Sequence, residues 1–185
     1  VQFWNKLHLE QNLKYLTNYP GGTAKDVWYW DYVQANGSKT FTFTLPSLAN
    51  RPGATARLSG LLRSYSGVPQ HHTRIYLNDN LVDDAFWNNK TTYLFTKDIP
   101  QSYLVAGANT IKVEALLDNG ITSNLVLSNW FEVEYWDVLT AAANRIDFTL
   151  EPGAATNPEI TGFSSDQLEL FDISDPEAPQ RLVNY

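Results

Sequence analysis

A chain of 185 residues with 43% hydrophobic and 14% aromatic side chains can bury about 70% of its unfolded surface in one core without metal or disulfide staples. A net charge of −7, with 13 Lys and Arg spread along the chain, argues against nucleic acid and against insertion into or attraction to an anionic membrane, since phosphate recognition needs a basic stripe. The absence of Cys excludes a disulfide, a thiolate metal site and a cysteine nucleophile, and no apolar run reaches the roughly 20 residues of a spanning helix.

With Val1 first and no Met anywhere, the chain reads as an excised piece of a longer protein. Phe3 to Asn18 mixes Leu7, Leu9, Leu13, Tyr15 and Leu16 with polar residues, which predicts a strand and then an irregular stretch ended by a turn at Pro20, Gly21 and Gly22. Val27 to Val33 alternates, with Trp28, Trp30 and Tyr32 on one face, a stripe expected to pack between two sheets. Asn36-Gly37 follows, and Thr40 to Leu45 puts Phe41, Phe43 and Leu45 on one side; Asn-Gly between two alternating runs predicts a hairpin. After a loop over Pro46 to Gly53, strands are expected over Thr55 to Tyr65, His72 to Leu77 and Leu81 to Trp87. The last two are joined by a turn at Asn78-Asp79-Asn80, where Asn and Asp tolerate positive φ.

Tyr93 to Phe95 reads as a short strand and Ile99 to Leu104 as a single helical turn. Thr110 to Leu116 turns Ile111, Val113 and Ala115 inward against Lys112 and Glu114. Leu125 to Leu139 is the most persistent strand signal of all: Phe131, Val133 and Tyr135 share the apolar side, and Glu132, Glu134, Trp130 and Trp136 share the other. Beyond it come a small-residue connection at Ala141 to Ala143, an alternation of Ile146, Phe148 and Leu150, a loop over Glu151 to Pro158, and a last strand over Leu168 to Ile173. About ten short strands at hairpin spacing, with no sustained helical period, predict an all-β antiparallel β-sandwich of jelly-roll type. Residues 1–173 are read as one domain. Residues 174–185, opening on Asp175-Pro176-Glu177-Ala178-Pro179, are read as an extended linker toward a following domain.

Several phrases, in order, resemble one family. HLEQNLKYL followed by KDVWYWDYV is similar to the opening of the β-sandwich domain carried by secreted gingipain-like cysteine peptidases, the clostripain-related group that includes sortase-like enzymes of type IX secretion. HHTRIYLNDNLVDDAFW resembles that domain's strand, turn and returning strand. LVAGANTIKVEA matches its Leu-x-x-Gly-x-Asn-x-Ile-x-Val phrase, shared with galactose-binding-like jelly rolls, and SNWFEVEYWDVLTAAANRIDF and GFSSDQLELFDISDPEAPQRL resemble its closing and exit sequences. The resemblance implies a noncatalytic accessory domain, secreted or at a bacterial cell surface, whose partner is an adjoining peptidase domain in the same chain. The family's catalytic His and Cys belong to a separate domain, so no catalytic residue is carried over.

The residues leave other readings beside this one. Trp130 and Trp136, with Glu132 and Glu134, are a candidate carbohydrate or partner surface, although six residues put the indoles roughly 20 Å apart along a strand, too far to grip one ring. Glu132 and Glu134 share a face, as a glycosidase's two carboxylates must, but two solvated acids are the plainer account. Asp137, at an odd offset, points through the sheet. Asn78, Asp79, Asn80, Asp83 and Asp84 offer the hard oxygens that suit calcium; turn chemistry alone also explains them, and the Asp172/Asp175 pair is a weaker version of the same idea. His8, His71 and His72 lack any accompanying nucleophile or metal motif. Adjacent His71 and His72 point to opposite faces of a strand, so an edge or loop role is read for them.

Overall fold

The structure, a computed structural model, describes residues 2–16, 26–88, 91–149 and 158–183. In chain order its strands are β1 (Gln2–Glu10), β2 (Lys14–Tyr15), β3 (Trp28–Tyr29), β4 (Asp31–Val33), β5 (Gly37–Leu45), β6 (Thr55–Ser64), β7 (Gln70–Leu77), β8 (Asn80–Asn88), β9 (Thr92–Pro100), β10 (Gly107–Leu116), β11 (Val126–Val138), β12 (Leu170–Asp172) and β13 (Gln180–Leu182), with one 3₁₀ turn at Gln101–Tyr103. One sheet runs β1-β11-β6-β9, with β4 also on β11; the facing sheet runs β5-β10-β7-β8. Every pairing between named strands is antiparallel. The chain is an all-β jelly-roll sandwich.

The strand expected at the centre is there. β11 pairs with β1, β6 and β4, and Phe131, Val133 and Tyr135 point into the core at 0 to 2% exposure. Opposite them the second sheet contributes Phe41, Phe43, Ile75, Leu77, Ile111 and Val113, so the period of two becomes one continuous apolar layer between the sheets. Gly60 of β6 is part of this fit. A Cβ added there would lie 2.6 Å from the Phe131 ring and 2.7 Å from the Phe95 ring, inside the contact distance of any real side chain.

Four local expectations fail for identifiable reasons. Asn36-Gly37 does turn, with Asn36 at φ 54, but β4 belongs to the first sheet and β5 to the second, so the turn is a corner between sheets. Asn36 is pinned there through its N–H to the Ala115 carbonyl and through its Oδ1, which accepts from Leu117 N–H. The Trp28, Trp30, Tyr32 stripe is broken by a bend at Trp30: Trp30 enters the core while Trp28 and Tyr32 stay 42% exposed. Ile146 and Phe148 form no strand. The segment expected as an extended linker folds back, β13 pairing with β12 across Asp175 to Pro179. The expected turn at Pro20, Gly21 and Gly22, Leu150, and the loop from Glu151 to 157 lie outside the described residues.

The LVAGANTIKVEA phrase has a structural explanation. Asn109, 1% exposed, donates from Nδ2 to the Val105 and Gly107 carbonyls and accepts at Oδ1 from Val105 N–H and Asn78 Nδ2. Gly107 takes φ 106, a region that favours glycine, and Ile111 and Val113 follow into the core. One buried amide therefore ties the β10 start to the β7–β8 turn.

Candidate interaction face

The outer face of the first sheet is built in register rows across β1, β11, β6 and β9. Trp4 stands opposite Trp136; Lys6 opposite Glu134, then Arg57 and Asp98; His8 opposite Glu132, then Ser59 and Thr96; Glu10 opposite Trp130, then Leu61 and Leu94. The four residues singled out on β11 are therefore brought together on one face, and the other three strands supply their neighbours.

Every acid of the central rows is paired. Glu132 accepts from Lys6 Nζ at 2.8 Å and from His8 Nδ1 at 3.0 Å, Glu134 accepts from Trp4 Nε1 at 3.1 Å, and Arg57 donates to Asp98 at 2.8 Å and lies 3.8 Å from Glu134. Burial by itself raises the Glu132 pKa, but the Lys6 and His8 hydrogen bonds outweigh it and hold the carboxyl below its ordinary value. Burial likewise opposes a charge on His8, and bonds to Glu10 and Glu132 overcome it, raising that pKa. A glycosidase's general acid needs a raised carboxyl pKa, so Glu132 is tuned in the wrong direction for that role.

The aromatic ends are occupied. The Trp136 ring carries the Arg51 guanidinium at 3.8 Å and meets Trp4 edge-on at 5.4 Å. Trp130 has the His8 ring at 5.8 Å. Stacking a sugar on Trp136 would require Arg51 to leave, giving up a cation–π contact of about 0.5–2 kcal/mol.

The proposed calcium ligands are not brought together. Asn78 and Asp79, at φ 46 and 65, form the tight β7–β8 turn, and the Asn78 side chain bridges Tyr103 O, Asn109 Oδ1 and Thr110 N–H. Asn80 donates back to the Leu77 and Asn78 carbonyls. Asp83 is 5% exposed and bonded to Lys97 and Tyr93, and its bond, after burial, raises the Tyr93 pKa. Asp84, the next residue on the strand and so on its other face, is bonded to His72 and Arg74; the His72 bond is the main reason its pKa is lowered. No group of three His, Asp or Glu able to hold a metal occurs among the described residues. Asp172 and Asp175 each cap a local turn, accepting from Ser174 and Glu177 N–H. Asp137 does point through the sheet, 3% exposed and bonded to Ser47 and Asn5.

His71 and His72 take no edge or loop role: both lie in β7, an interior strand of its sheet, at 0 and 2% exposure, and each anchors a hydrogen-bond network. His71, 0% exposed, has Nε2 2.6 Å from Ser64 Oγ, whose hydroxyl also reaches the Ser66 carbonyl at 2.8 Å, and donates from Nδ1 to Asn124 Oδ1 at 2.9 Å; Asn124 Nδ2 donates to the His72 and Leu116 carbonyls. Because Asn124 spends its N–H groups on carbonyls, its oxygen can only accept, which sets the His71 tautomer. The Ser-His-Asn order resembles a nucleophile relay, yet all three side chains are 0% exposed, so no substrate reaches the hydroxyl and the group ties β6 and β7 to the loop before β11. On the far side of β7, His72 stacks on Phe86 at 4.0 Å with both nitrogens on the carboxylates of Asp118 and Asp84. Neither network has a local sequence signal, since Asn124 lies 53 residues from His71 and Asp118 lies 46 from His72.

No family model and no curated protein matches the chain. Among solved structures, it is similar to dimeric latent PorU from Porphyromonas gingivalis, with 13% identity and a TM-score of 0.58 over 80% of this chain. A family 36 carbohydrate-binding module solved with calcium and xylotriose has 18% identity and a TM-score of 0.43, covering 70% of this chain and 98% of that one. A family 35 module from an environmental isolate has 15% identity and a TM-score of 0.46, covering 69% and 91%. The chain spans 14% of the PorU chain that it matches. What the PorU likeness establishes is the fold.

Proposed function

We propose that the chain is a noncatalytic accessory β-sandwich of a secreted or surface-attached gingipain-like peptidase, and that its outer sheet face packs against and positions the adjoining domain. The observation that carries this is the charge pairing of that face: Lys6, His8 and Arg57 already neutralise Glu132, Glu134 and Asp98. Covering such a face strands no unpaired charge, and tryptophans at its ends are the residue type enriched at the centre of protein contacts. The sequence phrases and the PorU-like fold support the same setting. Residues 174–185 would carry the chain onward as the return arm of the β12–β13 hairpin and not as an extended segment. A carbohydrate-binding role through Trp130 and Trp136 has less support, because Arg51 and His8 already sit against those rings.

Hydroxyl-radical footprinting of the full-length protein and of this chain alone tests the assignment. Trp4, Trp130 and Trp136 are expected to be protected in the full-length protein relative to the isolated chain. Equal labelling in both would refute it.

A further inference from the structure

Beyond the aromatic ends, the same outer face opens into a cleft of about 370 Å³ lined by Asp26, Tyr29, Leu61, Arg63, Thr92 and Asn129. It is placed by the β2–β3 ribbon, which lies over the end of the sheet: Tyr29 turns inward at 1% exposure, and the Arg63 guanidinium donates to its hydroxyl at 2.9 Å and to the Asp26 carbonyl. The bulge between Ser128 and Trp130 frees Asn129 from the strand register and aims it at this wall.

Asn129 is 3% exposed. Its Nδ2 donates both protons, to Asp26 Oδ2 at 2.8 Å and to the Trp28 carbonyl at 2.9 Å, while its Oδ1 accepts no hydrogen bond from a described residue and is not sealed from solvent. A nearly buried amide with one open acceptor facing a cleft is an incomplete hydrogen-bond set. Beside it stand the Asp26 carboxylate, with acceptor capacity left after its bonds to Trp28 N–H and Asn129, and the Thr92 hydroxyl. The lining carries one cation and one anion, so a net-charged ligand gains little. Its floor, Leu61, continues into the row of Trp130 and the 62% exposed Leu94.

We infer that this cleft binds a neutral polyhydroxylated ligand, an oligosaccharide whose hydroxyls donate to Asn129 Oδ1 and Asp26 and accept from Thr92, with an apolar sugar face on the Leu61–Leu94 strip. The site is distinct from the Trp136 end of the face and does not depend on the positioning role, which is tested in the full-length protein. The chain alone is titrated with xylotetraose, cellotetraose and galactobiose, by calorimetry and tryptophan fluorescence. At least one sugar is expected to bind, with affinity lowered about tenfold or more by Asn129→Ala and by the exposed Thr92→Val, and unchanged by Trp136→Ala. Thr92→Val keeps the test decisive if Asn129→Ala fails to fold. No heat with any of the three sugars overturns the inference, as does binding that survives Thr92→Val or that Trp136→Ala alone abolishes.

Discussion

Gly60→Ala tests how tightly the two sheets are fitted. The new methyl carbon would meet Phe131 at 2.6 Å and Phe95 at 2.7 Å, and both rings are held at 0 to 2% exposure, so strand β6 or the rings must move. Overpacking a native core costs about 1–3 kcal/mol, whereas exchanging Gly for Ala in a strand returns roughly 0.5–1 kcal/mol of chain entropy. The contact with two immobile rings puts the cost near the top of its range, which leaves a net loss of about 2 kcal/mol. For a chain of this size that is a drop in melting temperature of roughly 4–8 °C, read by circular dichroism or tryptophan fluorescence. Phe95→Leu makes room beside the same methyl group, so Gly60→Ala and Phe95→Leu together are expected to cost about 1 kcal/mol less than the sum of the single changes. A melting temperature within a degree of the parent for Gly60→Ala, or strict additivity in the pair, would refute the packing argument. Gly60 sits between Ser59 and Leu61, so a displaced strand would also carry the outer face and the floor of the cleft with it.

Asn124→Ala removes the acceptor of the His71 Nδ1–H and the side-chain donors to the His72 and Leu116 carbonyls. A loss of about 2–4 kcal/mol is expected in denaturant titration, and a loss below 1 would show the network to be dispensable. Ser128→Ala removes a hydroxyl whose oxygen is buried without a hydrogen-bond partner among the described residues, so it should be neutral or slightly stabilising by the same measurement. His8 has a folded pKa above its ordinary 6.5, so its contribution is full below 6.5 and lost as pH rises through the folded value. The stability gap between the parent and His8→Gln should therefore be larger about one unit below 6.5 than about two units above it; half-exposed, the pair is worth less than about 1 kcal/mol, and a gap that widens at high pH would reverse the sign. Because the turn oxygens of Asn78 and Asn80 and the carboxylates of Asp83 and Asp84 do not converge, calcium and then chelator should leave the melting temperature unchanged. A rise with calcium would restore that turn as a cation site.

Phe131, Val133 and Tyr135 against Glu132 and Glu134, or Ile111 and Val113 against Lys112 and Glu114, settle which side of a strand is buried through nothing more than the alternation of side chains along an extended backbone. That much is local, and so are the sandwich class and the positive-φ turn at Asn78-Asp79, which follow from the residues themselves. What stands beside a given residue across the sheet is not local. Lys6 meets Glu132, Trp4 meets Glu134 and His71 meets Asn124 only because antiparallel register places distant segments side by side, and no pattern within either segment encodes that pairing. The same cause explains the misjudged parts: Asn36-Gly37 has hairpin chemistry but joins two sheets, Trp28 and Tyr32 alternate correctly but a bend at Trp30 turns them out, and Trp136 looks available until Arg51 is folded onto it. Strand identity and facing in β10 and β11 were thus determined by the amino-acid sequence alone. Which charges are neutralised, which rings are covered and where Asn129 opens onto a cleft were decided by tertiary structure, because each depends on contacts whose partners lie tens to more than a hundred residues away.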